Sequence, residues 1–145
     1  MNLVFAKGAA ALLVSAVLFT SCKKDKDAVA GGGSTESIIG SYKLESVMVK
    51  DGGDAFDLLQ SMAPCLKDDV ATFGANKKYI HTDAGLKCVP AGHYESTWEL
   101  KPANKIVIDG EEMTLVSTVN GKLVLREYDD VPVENQYVEI TYKKQ

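Results

Sequence analysis

The sequence predicts an all-β fold, an eight-stranded antiparallel up-and-down barrel with one short helix after the first strand. Three observations carry that expectation. From Ile38 to Lys143 apolar and polar residues alternate in short runs, the period-two pattern of strands with one buried face. Turn signals punctuate those runs: Asp51-Gly52-Gly53, Gly74-Ala75-Asn76, Asp109-Gly110 and Asn120-Gly121. Sequential antiparallel strands with one apolar face bury it, and lose their open edges, by closing on themselves. A two-sheet sandwich is the alternative way to bury the same face.

The elements run in order along the chain. Gly40 to Val49 opens as a strand with Tyr42, Leu44 and Met48 on one face, ended by Asp51-Gly52-Gly53. Asp54 is placed to N-cap a short helix through Met62, with Phe56, Leu59 and Met62 at every third position and Pro64 blocking continuation. Strands come next at about 67–73 and 77–83, and then from His93 to Lys101, where Tyr94, Ser96, Trp98 and Leu100 share a face. Asn104 to Asp109 and Glu111 to Thr118 flank the Asp109-Gly110 hairpin, which sets Ile106 opposite Met113 with Ile108 and Leu115 on the same face.

At Val119-Asn120-Gly121 two registers compete. A two-residue loop sets Leu115 opposite Arg126 and forces the only arginine onto the apolar face. A three-residue loop with Gly121 as a bulge pairs Leu115 with Leu125 and Ser117 with Leu123, leaving Arg126 outside, and is preferred. Asn135 to Lys143 is the last strand, with Val138, Ile140 and Tyr142 inward.

The chain has three cysteines. Facing residues of the hairpin around Gly74-Ala75-Asn76 carry numbers adding to 151–153, and Cys65 and Cys88 obey the same rule. They are expected at its open end as a disulfide, closing a loop worth about 3 kcal/mol in the chain-entropy model. That leaves Cys22.

Cys22 ends an apolar run too short to span a bilayer but suited to a cleavable signal, Gly8 to Thr20 after Lys7. Leu18-Phe19-Thr20-Ser21-Cys22 resembles a bacterial lipobox, in which the cysteine is lipidated and becomes the mature N-terminus. The resemblance implies a signal peptide at 1–21, a lipidated Cys22 with a flexible tether over 22–37, and a domain over 38–145. The charged run Lys23-Lys24-Asp25-Lys26-Asp27 is similar to tethers of Bacteroidetes lipoproteins, some of which carry a surface-export signal there. An outer-membrane lipoprotein on the periplasmic or cell-surface face is therefore expected, held to the membrane through its N-terminal lipid.

A wider resemblance covers about residues 38–143. Gly40-Ser41-Tyr42 resembles the glycine-x-tryptophan start of lipocalins, with tyrosine at the third position. Cys65-Leu66-Lys67-Asp68-Asp69 leading to Phe73, then Cys88, Gly92-x-Tyr94 and Leu123-Val124-Leu125, is similar to the lipocalin-like domain of Bacteroidetes lipoproteins. The resemblance implies a barrel that takes a small hydrophobic ligand. The inward residues offered for it are Tyr42, Leu44, Met48, Tyr94, Trp98, Met113, Leu125 and Tyr142, with Ser46, Ser96 and Ser117 as small polar breaks in the apolar face.

The alternative is a barrel filled by side chains that works as a structural or interaction module through Asp83 to Ala91 and Asp129 to Asn135. Other classes find little footing. With 16 Lys+Arg against 20 Asp+Glu and no basic cluster, the chain of 145 residues does not read as a nucleic-acid binder. His81 and His93 read as surface histidines, without a serine or cysteine nucleophile in a recognisable motif. Asp68-Asp69, Glu111-Glu112 and Asp129-Asp130 read as solvated turns and strand ends, and adjacent strand residues point to opposite faces. Gly31-Gly32-Gly33 lacks the Gly-Lys-Ser/Thr of a phosphate loop. A non-enzyme without metal or cofactor is expected, and no protein partner is legible.

Overall fold

A computed structural model describes residues 33–128 and 136–145. The expected signal peptide, Cys22 and the expected tether up to residue 32 lie outside the described residues, as do Asp129-Asp130 and the rest of the segment to Asn135. Among the described residues no helix is long and apolar enough to cross a membrane.

Nine strands form one antiparallel sheet: β1 (Gly40–Asp51), β2 (Asp54–Asp57), β3 (Val70–Phe73), β4 (Lys78–Thr82), β5 (Tyr94–Lys101), β6 (Lys105–Ile108), β7 (Glu111–Ser117), β8 (Lys122–Glu127) and β9 (Gln136–Lys144). Two four-residue helices, α1 (Thr35–Ile38) and α2 (Pro64–Lys67), and the 3-10 turn Leu58–Gln60 complete it. Strand β1 pairs with β9 along one edge, and with β3 and then β2 along the other. The β1–β9 pairing closes eight of the strands, β1 and β3 to β9, into a ring, and β2 lies outside it as an added hairpin arm. The expected all-β barrel is therefore observed.

Its registers agree with the sequence at three hairpins. Val70 faces Thr82, Ile106 faces Met113 and Leu115 faces Leu125. At the Asp109-Gly110 turn both residues have positive φ, 54° and 87°, the left-handed pair that a tight two-residue hairpin requires.

Two bulges move residues off the expected face. Between Leu44 and Ser46 one extra residue, Glu45, is accommodated opposite the Tyr142–Thr141 step. Past it, Val47 faces Ile140 and Val49 faces Val138 on the inner side, so Met48, opposite Glu139, and Ser46, opposite Thr141, are turned outward. A second bulge between Leu115 and Ser117 sets Ser117 opposite Val124 rather than Leu123, which carries Ser117 outward too. Of the three serines only Ser96, opposite Tyr79, keeps its inward place.

The helix expected over Asp54 to Met62 is shorter and later. Asp51-Gly52-Gly53-Asp54 is itself a two-residue hairpin with Asp51 facing Asp54, so Asp54 starts a strand and is not a cap. Asp57 takes the capping role, accepting from the Leu59 amide at 2.9 Å to start the 3-10 turn. Pro64 stands at the first turn of α2, where its missing N–H costs nothing, and so begins a helix rather than ending one.

One half of the ring is filled. Ile38, Tyr42, Phe73, Trp98, Ile106, Leu115, Leu123 and Leu125 are at most 2% exposed and form a continuous core. Phe73 stands at its centre, edge-on to Tyr42, Tyr79 and Trp98 with centroids 5.8, 5.2 and 5.6 Å away. The buried polar tips are satisfied by backbone: the Trp98 indole N–H donates to Gly74 O at 3.0 Å, and the Tyr42 hydroxyl to Ile38 O at 2.9 Å. Helix α1 thus enters at this base and Ile38 plugs it.

Candidate functional site: the barrel mouth

Above the base the inner wall opens into two adjoining cavities that share Ile140 and Tyr142. The first, about 430 Å³, lies between the sheet and the segment after β2. Leu44, Val47, Ala71, His81, Ile140 and Tyr142 line it from the strands, Asp69 from the start of the β3 hairpin, and Leu58, Met62 and Leu66 from above. Those three apolar side chains come from the 3-10 turn, the residues just after it and α2, a stretch that therefore acts as a lid. The second cavity, about 850 Å³, is walled by Tyr79, Tyr94, Ile108, Met113, Ile140 and Tyr142, and rimmed by Asp109, Glu111, Glu112, Glu127 and Tyr128. Both volumes fall in the roughly 300–1,000 Å³ range of small-molecule pockets.

The eight residues offered from the sequence separate into three groups. Leu44 and Tyr142 line the lid cavity, and Tyr94, Met113 and Tyr142 the mouth cavity. Tyr42, Trp98 and Leu125 belong instead to the filled base, where other side chains occupy all the space around them. Met48 is outside the wall altogether, because the Glu45 bulge reverses its face.

The sequence reading missed Tyr79, His81, Asp69 and the lid residues Leu58 and Leu66. Tyr79 faces Phe73, and His81 faces Ala71, so the hairpin rule that located the disulfide also carried both inward. His81 is half-buried, not a surface histidine. Its ring stacks on Tyr94 with centroids 5.1 Å apart. Its Nδ1 lies 2.9 Å from Gly92 O, which only accepts, so Nδ1 carries the proton; Nε2 lies 3.5 Å from Asp69 Oδ2. His93 is exposed, as expected.

The aspartates near it are not solvated turn residues. Asp69 is 6% exposed and accepts from the Ala84 amide at 3.2 Å. Asp68 Oδ2 accepts from the Leu86 amide at 2.8 Å, and Asp83, 3% exposed, accepts from the amides of Cys88 and Gly92 at 3.4 and 3.1 Å. Three carboxylates thus replace the hydrogen bonds that the irregular segment 83–92 cannot make to a strand. Gly85 is required there: its φ is +49° and a Cβ would collide with the Asp68 carboxylate. The Cys65–Cys88 disulfide, with Cα atoms 5.3 Å apart, ties α2 of the lid to the same segment.

Three tyrosines set the character of the wall. Burial, helped by the neighbouring Tyr142 and Tyr94 phenols, holds Tyr79 far above the ordinary phenol range, and Tyr79 is 5% exposed. Tyr142 is pushed up to about 12, again by burial first and by Tyr94 second. Both remain neutral phenols at physiological pH, able to donate and accept. Among the described residues no group of three or more His, Cys, Asp and Glu side chains is arranged to hold a metal ion. No family model, curated protein or solved structure matches this chain.

Proposed function

We propose that the chain is a lipid-anchored cell-envelope protein that binds a small hydrophobic molecule at the barrel mouth. The observation that carries this reading is the apolar cavity beneath the Leu58, Met62 and Leu66 lid, which stands on a filled base instead of being filled itself. The anchor rests on the lipobox resemblance at Cys22. The described chain enters at the base through α1, so a tether from Cys22 would leave the mouth at the end of the barrel remote from the membrane.

Native mass spectrometry of the full chain, isolated from the membranes of the cell that makes it, tests the binding reading. A reproducible extra mass lost on denaturation is expected. A bare protein that also takes up no apolar probe would sink it. The anchor is tested separately by Cys22→Ser, expected to move the chain from the membrane to the soluble fraction.

One observation favours a second reading, an interaction module of the envelope. The 83–92 segment, pinned by Asp68, Asp69, Asp83 and the disulfide, presents Leu86 and Val89 to solvent, 59% and 96% exposed. Crosslinking that captures an envelope protein through this segment, and loses it in Leu86→Ser/Val89→Ser, would favour that reading.

A further inference from the structure

The charge of the two cavities is one-sided. No lysine or arginine lines either, while Asp69, Asp109, Glu111, Glu112 and Glu127 do. Glu112 is drawn to the outer face by Lys101 and Lys105, at 3.7 and 3.8 Å, and Asp109 accepts from Ser96 at 2.5 Å. Glu111 and Glu127 are different: each is paired with an inward residue, Ile108 and Val138, so both belong to the inner wall. Of the neighbouring cations, Arg126, beside Glu127, pairs with Glu139 at 2.8 Å. Lys50, opposite Tyr137, lines a third cavity beside the mouth, which it shares with Glu127 and Tyr128, and does not reach the two cavities that hold the tyrosines. Within the cup, the phenol rings of Tyr79, Tyr94 and Tyr142 add aromatic faces, whose negative quadrupoles attract cations and not anions.

We propose that the molecule taken up is a cationic amphiphile. Its apolar body lies under the lid against Leu44, Val47 and Ile140, and a single ammonium group sits between the Glu111–Glu127 rim and the tyrosines. A carboxylate head on the same body would meet two carboxylates and, within these two cavities, no lysine or arginine, so a free fatty acid is disfavoured by the same wall. This rests on the binding reading above and sharpens it to a ligand class.

The test compares three ligands of one chain length, dodecylamine, dodecanol and dodecanoate, displacing a neutral environment-sensitive dye from the full chain held in nonionic amphipol at pH 7. The amine is expected to bind about tenfold more tightly than dodecanoate at low salt, with the alcohol between them. Added salt narrows the gap, because the rim is exposed and its field is screened. The double variant Glu111→Gln/Glu127→Gln, at two exposed positions, is expected to bring the amine to the alcohol's affinity and leave the alcohol unchanged. Dodecanoate binding as well as the amine, or a double variant that keeps the full preference, overturns the cationic head group and leaves the hydrophobic-ligand reading standing. Displacement by none of the three overturns both.

Discussion

A single buried side chain decides how the base behaves, and Trp98 is the clearest case. It is 1% exposed, its indole N–H is satisfied by Gly74 O, and Lys77 lies over its ring at 4.4 Å from the centroid. Trp98→Ala removes the largest of the packed rings and leaves the Gly74 carbonyl with the Lys77 amide as its one remaining donor. A loss of about 3–5 kcal/mol in denaturant unfolding is expected; a loss under about 1 kcal/mol would show that the base is not close-packed. The tyrosines make a second prediction, on alkaline stability. Burial raises Tyr142 to about 12 and Tyr79 further, whereas an unfolded phenol ionises near 10. The unfolded chain therefore loses these protons first, so their contribution is intact below about pH 10 and is lost as pH rises towards 12. Unfolding midpoints should fall over that window, and Tyr79→Phe with Tyr142→Phe should flatten the fall. Equal steepness in the double variant would remove the tyrosines as its cause.

Among the elements, hairpins were legible and bulges were not, for a physical reason. Asp109-Gly110 and the Leu115 to Leu125 register announce themselves, because a tight turn demands particular residues and a one-residue slip would bury Arg126. Glu45 and Val116 carry no such mark: one inserted residue of ordinary type reverses the face of every later position in its strand without changing composition. Met48, Ser46 and Ser117 were misplaced for that reason. The lid was half legible: a short helical segment up to Met62 was expected, but Asp51-Gly52-Gly53 reads as a strand end, whereas in the sheet it turns a two-residue hairpin. Asp69 was illegible because its partner, the Ala84 amide, lies 15 residues away in a segment without secondary structure. The disulfide was legible because it continues the β3–β4 pairing rule. It closes a separation of 23 residues, and its removal in Cys65→Ala/Cys88→Ala is expected to cost about 3 kcal/mol. Denaturant unfolding of oxidised and variant protein measures this; an unchanged midpoint would mean that the Asp68, Asp69 and Asp83 contacts alone hold the segment.

At the scale of the molecule, one ring carries two halves of unequal stability. The base combines the fully buried core with the β7–β8 and β8–β9 pairings, so opening any amide there requires breaking the common core. The lid has no strand partner. It is held by Asp57 at its start, by the Lys67 amine on Gln60 O at 3.1 Å, and by the disulfide, with Leu58 and Leu66 each about two-fifths exposed. Under the proposed binding reading, a cavity roofed by such a segment would admit a ligand by local opening, without disturbing the packed half. Native-state hydrogen exchange should therefore show amides of β7 and β8 exchanging only through global unfolding and those of Leu59 to Leu66 through a much cheaper local opening. Reducing the Cys65–Cys88 bond should accelerate the lid at low denaturant more than it accelerates the base. Ligand should slow the lid selectively, while Trp98, which lines neither cavity, keeps its fluorescence unchanged. Equal protection of lid and base would mean that the ring opens as one unit, and that a ligand enters through the uncovered Glu111–Glu127 side of the mouth instead.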